Sequence, residues 1–216
     1  MPKSAIVAGA TGLVGSRLLA ALLADPDYDT IHALVRRPLG IANAKLCEHP
    51  VDYGRLNEMA WPVADDVFCC LGTTIRVAGS QAAFREVDYA YPLATARAAQ
   101  LKGAKQFLFV SAMGADARSS VFYSRVKGEL EAAIAALGYR AAIAFRPSLL
   151  AGDRREHRPG ERVALMVLQP LRWLVPRQYR PVADEAVARA MVVYARRGLP
   201  GFHVVPSDAI QAFAPG

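Results

Sequence analysis

Ala5-Ile6-Val7-Ala8-Gly9-Ala10-Thr11-Gly12-Leu13-Val14-Gly15 is the stretch on which the reading of this chain turns. Four apolar residues of strand length run directly into glycines at positions i, i+3 and i+6. A leucine-rich segment of helical period follows, Leu13 to Leu23, and stops near Asp25-Pro26. Each glycine has its own reason. One permits a tight strand-to-helix turn, one lets backbone approach a bound diphosphate, and one lets helix and strand pack closely. The unpaired N–H groups and the positive dipole end of the helix then face an anion.

Working outward, strand-length apolar runs alternate with helical patterns. The candidate strands after the first are Thr30 to Val35, Lys45 to Val51, Asp66 to Leu71, Gln106 to Val110 and Arg140 to Phe145. The helical patterns are Leu13 to Leu23, Gln81 to Leu101 and Tyr123 to Leu137. Their low charge suits strands covered on both faces. The alternation predicts an α/β fold, a three-layer, doubly wound parallel sheet, and the glycine turn at its first crossover makes the NAD(P)-binding Rossmann kind the expected one. After Pro147 the rhythm changes. Ala151 to Glu161 reads as a loop, followed by helices at Val163 to Leu174 and Asp184 to Arg197 and a short strand at His203-Val204-Val205. We expect one domain over residues 1–216, with 151–183 and 206–216 forming a small cap on the substrate side.

Composition narrows the function classes. The 216 residues are 53% hydrophobic and 21% charged, enough apolar material for a core and too much for a disordered chain. No window approaches the roughly 18 uninterrupted apolar residues of a membrane span, and no secretory leader is expected. Cys47, Cys69 and Cys70 form no paired framework, which predicts small core thiols and a reducing, cytoplasmic setting. His32, His49, His157 and His203 are scattered without ligand spacing, so no metal is expected. The net charge of +7 favours anionic ligands. The basic cluster Arg154, Arg155, His157, Arg158 and Arg162 lacks the interleaved aromatics of a nucleic-acid surface and reads as a solvated loop or a substrate rim. The apolar stripe Val163 to Leu174, with Trp173, serves equally as a lid, a substrate wall or a homodimer face.

The second strand bears on the cofactor. NAD sites place an acid about 20 residues after the glycine turn to bind ribose hydroxyls. Here the strand ends in Leu34-Val35-Arg36-Arg37. A guanidinium suits a 2′-phosphate through forked, charge-assisted hydrogen bonds. NADP(H) is therefore the expected cofactor, held first by Arg36 and then by Arg37, with Asp52 placed to accept from the adenine amino group. Ser111 ends the fifth strand, and Tyr123 and Lys127 stand four apart on the next helix, sharing a face. A neighbouring ammonium favours the phenolate, which brings Tyr123 toward acid/base duty near neutrality. Ser111 would polarise a carbonyl, and Lys127 would also hold the nicotinamide ribose.

Taken with Cys70-Leu71-Gly72-Thr73-Thr74, Gly114-Ala115-Asp116, Lys127-Gly128-Glu129, Arg146-Pro147, Asp153-Arg154-Arg155 and Arg158-Pro159-Gly160-Glu161, these motifs resemble a known family. The chain is similar, over about residues 4–206, to the atypical short-chain dehydrogenase/reductases, in the branch of the Tat-interactive oxidoreductase-like proteins and their bacterial relatives. The resemblance implies that Gly9, Thr11, Gly12 and Val14 contact the diphosphate, in a cofactor site that the glycine turn extends to Leu13 and Gly15, and that Arg36 and Arg37 meet the 2′-phosphate. It also implies that Leu71, Gly72 and Thr73 line the adenosine and ribose side, that Ser111, Tyr123 and Lys127 are catalytic, and that Arg146-Pro147 lies beside the nicotinamide. One position departs from the superfamily pattern: Asp88 stands where many members carry an Asn that supports a proton relay through the Lys.

The expected activity is an NADP(H)-dependent oxidoreductase acting on a small carbonyl or alcohol. A catalytically inert NADP(H) sensor and a nucleotide-sugar epimerase are the alternatives. The short C-terminal tail, which leaves little chain for a substrate domain, favours the sensor over both enzymes.

Overall fold

A computed structural model describes residues 2–151 and 176–214, apart from the side chains of residues 57, 58 and 151. The basic cluster at Arg154–Arg162, the 158–161 motif and the apolar stripe Val163–Leu174 lie outside these residues. Seven strands form one parallel sheet in the order β3-β2-β1-β4-β5-β6-β9. They are β1 (Lys3–Ala8), β2 (Tyr28–Val35), β3 (Leu46–Pro50), β4 (Asp66–Cys69), β5 (Gln106–Val110), β6 (Ala141–Arg146) and β9 (Gly201–Pro206). Two-residue strands β7 (Leu150–Ala151) and β8 (Val182–Ala183), which no sequence pattern predicts, pair with each other beyond the main sheet. The strand order reverses direction at β1, between β2 and β4. A crevice outside the carboxyl ends of such neighbours is where open α/β sheets take ligands.

Helices cover both faces. Helix α1 (Leu13–Ala24) and the helix Asp184–Arg197 pack together on one side through residues such as Leu18, Leu22, Ala188 and Met191. On the other side lie α4 (Tyr91–Leu101) and α5 (Phe122–Ala135), with Leu93, Ala96, Leu130 and Ile134 inward. The adjacent thiols divide between these cores as a strand's alternation requires: Cys69 joins the α4/α5 side and Cys70 the α1 side. Cys47 is exposed on the edge strand, so the expectation of a core thiol fails there. At the amino ends of the strands, the buried Asp66 carboxylate accepts hydrogen bonds from Tyr28 (2.7 Å), Gln106 (2.8 Å) and Lys3 (3.2 Å). That one residue ties β1, β2, β4 and β5 together.

The stretch Gln81 to Leu101, expected as one helix, is three segments. After α2 (Ile75–Ala78) and α3 (Gln81–Arg85), residues Glu86–Ala90 widen into a π-turn, in which the Tyr91 N–H donates to the Glu86 carbonyl. Pro92 supplies the cause. It lacks an N–H, and its ring would collide with the carbonyl four residues back in a regular α-helix. The widened turn carries Asp88 inward, where it is 1% exposed.

The β2–β3 register also corrects the view of the histidines as scattered. His32 and His49 share a hydrogen bond of 2.9 Å between Nδ1 and Nε2. Burial lowers the pKa of both below the ordinary 6.5, and His49 lowers that of His32 further. Because the folded state favours the neutral rings, the stability they contribute is complete above pH 6.5 and is lost as pH falls through the folded values. Urea midpoints should therefore drop as pH falls below 6.5, and His49→Gln should make that drop shallower. An equal slope in the variant would show that the pair does not cause it.

Candidate functional site at the carboxyl edge of the sheet

The turn after β1 is built without side chains where it must be. Gly9 has φ +83°, and a Cβ there would stand 2.7 Å from the Cys70 carbonyl carbon in the loop after β4. A Cβ on Gly15 would drive into the Gly9 carbonyl oxygen. Gly12 caps α1 in extended conformation without a side-chain hydrogen bond, and there is no acidic residue in the first turn. The Gly12 N–H bonds the Gly9 carbonyl, and the first N–H to reach back from the helix is that of Ser16, to the Gly12 carbonyl. The amides of Leu13, Val14 and Gly15 therefore have no intramolecular acceptor among the described residues. Thr11 and Gly12 are exposed, so no side chain fills the mouth of the turn. Thr74 Oγ1 caps α2 by accepting from the Val77 N–H and Ser80 Oγ caps α3 by accepting from the Ala83 N–H, whereas α5 and the helix Asp184–Arg197, like α1, start without a side-chain cap. Three convergent free amides, an uncapped dipole and exposed arginines nearby suit a dinucleotide phosphate.

Arg36 and Arg37 follow β2 directly, are exposed, and form no ion pair among the described residues. Arg36 lies close enough to Tyr53 and Tyr91 to act on their ionisation. Asp52 starts the 3-10 turn Tyr53–Glu58, and its Oδ1 accepts from the Gly54 N–H at 2.9 Å.

On the other half of the edge, Lys127 Nζ lies 2.7 Å from Asp88 Oδ1, with both side chains almost wholly buried. The second Asp88 oxygen accepts from the Thr73 N–H at 2.8 Å. The loop after β4 is thereby fastened to α5 through the π-turn. A Cβ on Gly72 would meet Asp88 Oδ1 at 3.3 Å and Lys127 Nζ at 3.8 Å, which places this glycine over the pair. Burial pulls the Lys127 pKa down, but attraction to Asp88, with a smaller contribution from Tyr123, outweighs it and the net direction is upward. Tyr123 is half-buried, its ring against Phe84 at 5.5 Å.

Ser111 is placed differently from expectation. Its hydroxyl donates to Glu131 Oε1, and the same carboxylate receives Arg146 through a two-pronged contact. Glu131 is 5% exposed and Ser111 is 4% exposed. Ser111 could polarise a substrate only by giving up this bond, and Arg146 acts as a strut between β6 and α5. Pro147 is buried, its carbonyl accepting from the Met113 N–H.

Sequence reasoning missed Glu131, although Tyr123, Lys127 and Glu131 recur at i, i+4 and i+8 along one helical face. Gly128, read there only as part of a motif, has a packing role that the sequence did not give: a Cβ would run into the backbone of Asp116 and Ala117. The neighbouring motif Gly114-Ala115-Asp116 is the segment that needs this close approach.

Comparison with known proteins adds the family. A family model described as NAD(P)H-binding matches residues 9–146. The rat protein HTATIP2 is 39% identical over 167 residues, covering 75% of this chain and 69% of that protein. The mitochondrial protein FMP52 of Candida albicans is 33% identical over 208 residues, covering 92% of this chain and 90% of that one. The chain belongs to this NAD(P)H-binding family of atypical short-chain dehydrogenase/reductases. Among solved structures, a short-chain dehydrogenase/reductase family oxidoreductase from Burkholderia thailandensis aligns with TM-score 0.68 at 17% identity, over 97% of this chain and 93% of that one. A UDP-galactose 4-epimerase aligns with TM-score 0.71 at 16% identity, over 94% and 76%. At such identities these two share the fold.

The Asp88–Lys127 pair carries a stability prediction. Removing one partner of a buried pair strands the other charge at a cost of about 3–5 kcal/mol. Asp88→Ala should lower the unfolding free energy by that order in denaturant titrations. Asp88→Asn, which keeps an acceptor for the Thr73 N–H, should lose less. Equal, small losses in both variants would mean that Lys127 does not depend on the carboxylate.

Proposed function

We propose that this chain is an NADP(H)-dependent oxidoreductase that interconverts a small carbonyl compound and its alcohol. The observation that carries the reading is the exposed arginine pair, Arg36 and Arg37, after β2, without an ion-pair partner among the described residues, where an NAD site would present a carboxylate. The orphaned amides of Leu13, Val14 and Gly15 fit the diphosphate, and the arginine fork fits a 2′-phosphate. When bound, the nicotinamide supplies or accepts the hydride. Tyr123 gives the proton to the carbonyl oxygen in reduction and takes it back in oxidation. Lys127, fixed by Asp88, holds positive charge beside the phenol and near Gly72, on the loop that would carry the ribose. We place residues 151–183 and 206–216 at the substrate side as a small cap, and the chain in a reducing cytoplasm that suits its three free thiols.

A second reading, an NADP(H)-binding sensor without turnover, has one specific observation in its favour. Two of the three expected catalytic groups already have carboxylate partners, Lys127 with Asp88 and Ser111 with Glu131. The epimerase reading rests on shared fold alone.

A panel of small aldehydes and ketones, followed by NADPH consumption, separates enzyme from sensor. The oxidoreductase reading predicts turnover, a loss of at least about 100-fold in Tyr123→Phe, and NADPH affinity in that variant within about twofold of the parent. Unchanged turnover removes Tyr123 from the reaction. Titration of NADPH against NADH tests the arginines: Arg36→Ala should weaken NADPH about tenfold or more, as loss of a charge-assisted bond implies, and leave NADH nearly untouched. Equal affinity of the parent chain for both cofactors refutes the 2′-phosphate assignment.

A further inference from the structure

Asp88 puts both of its oxygens to use. Oδ1 takes the Lys127 ammonium at 2.7 Å, and Oδ2 takes the Thr73 N–H at 2.8 Å. An Asn could not replace it in both contacts. It has one carbonyl oxygen, and its NH2 group would stand donor to donor against either the ammonium or the amide. The surroundings thus call for the acid at a position where the superfamily pattern has Asn.

The pair is not closed on itself. An ammonium carries three N–H donors, and Asp88 is its one acceptor among the described residues. Gly72 is exposed on the loop after β4, and a Cβ there would come within 3.8 Å of Lys127 Nζ. As glycine it leaves that approach free of side chain. A fixed cation with donors to spare therefore lies beside a loop whose next residue, Thr73, is held by the other Asp88 oxygen. Charge is what the carboxylate adds to this arrangement. The titratable groups facing Lys127 are Asp88 from the π-turn, Tyr123 from its own helix and Cys69 from β4. Burial drives the lysine toward its neutral amine, and attraction to Asp88 outweighs it. Without the carboxylate, burial is left as the largest influence on Lys127.

Building on the NADP(H) reading, we propose that Asp88 is a positioning residue of the cofactor site: one oxygen keeps Lys127 charged and aimed at the nicotinamide ribose, and the other holds the loop along which that ribose would lie. The consequence is a grip on the ribose that does not vary with pH through the neutral range.

Asp88→Asn removes the charge and keeps an acceptor for the Thr73 N–H. Dissociation constants for NADPH and NADH, read from the fluorescence of the reduced nicotinamide, should stay within about twofold between about pH 7 and about pH 9 in the parent. In Asp88→Asn both should rise about tenfold over that interval, as Lys127 loses its proton and a charge-assisted hydrogen bond goes with it. The urea midpoint of the cofactor-free variant should move the opposite way, rising relative to the parent over the same interval, because a neutral amine costs less to bury than a charged one. In Asp88→Asn/Lys127→Met, which removes both charges, neither change should remain. A purely structural carboxylate would lower the midpoint of Asp88→Asn equally at every pH and leave both constants without a pH step, and that result overturns the proposal. A step that persists in the double variant belongs to another group and overturns it as well. If the parent chain binds neither cofactor, the NADP(H) reading falls and this role with it; if the parent binds both and Asp88→Asn shows no step, the role of Asp88 alone is wrong.

Discussion

The near-contact between the turn after β1 and the loop after β4 is the constraint on which the rest of this molecule depends. Gly9 sits against the Cys70 carbonyl with no room for a Cβ, and Gly15 sits equally close to Gly9. That approach brings the start of α1 down onto the sheet edge, where the amides of Leu13, Val14 and Gly15 have no intramolecular acceptor among the described residues. A helix start left this way costs stability in the empty protein, since orphan donors and an uncapped dipole are both unfavourable. At this edge α2 and α3 are capped by Thr74 and Ser80, while α5 begins without a side-chain cap, as α1 does. On the NADP(H) reading, the glycine turn ahead of α1 is what suits its open end to a diphosphate.

The opposite half of the edge follows a different logic. Its charges are satisfied internally: Asp88 takes Lys127 and the Thr73 amide, and Glu131 takes Ser111 and Arg146. Both carboxylates stand on helices flanking the sheet, and both hold groups expected at the nicotinamide end. Such buried networks rigidify when complete. They hold the β4 loop, α5 and the end of β6 at fixed separations, so Tyr123 projects from a helix anchored on two sides. On the oxidoreductase reading this rigidity would orient Tyr123 as the proton donor, and the same closure limits how freely Lys127 and Ser111 can answer a ligand.

Most of the architecture was legible because its signals are local. A strand, a glycine turn and a helix in succession specify the first βα unit, and repetition of the pattern specifies the parallel sheet. The Tyr123–Lys127 spacing and Arg36-Arg37 are equally local. What escaped the sequence depends on register and on interruptions of regular helix. His32 and His49 are 17 residues apart and meet because β2 and β3 pair in one particular register. Asp88 turns inward because Pro92 forces a π-turn into an otherwise helical pattern. The capture of Ser111 by Glu131 could not be read from either residue alone, since it requires β5 and α5 to lie side by side.

Backbone amide resonances followed during NADPH titration examine the central claim most directly, because the claim is about particular N–H groups. The account predicts saturable shifts centred on Thr11, Gly12, Leu13, Val14 and Gly15, with Arg36 moving on the same binding curve. Saturable binding that leaves those amides unmoved, with shifts gathered at another part of the molecule, would contradict it.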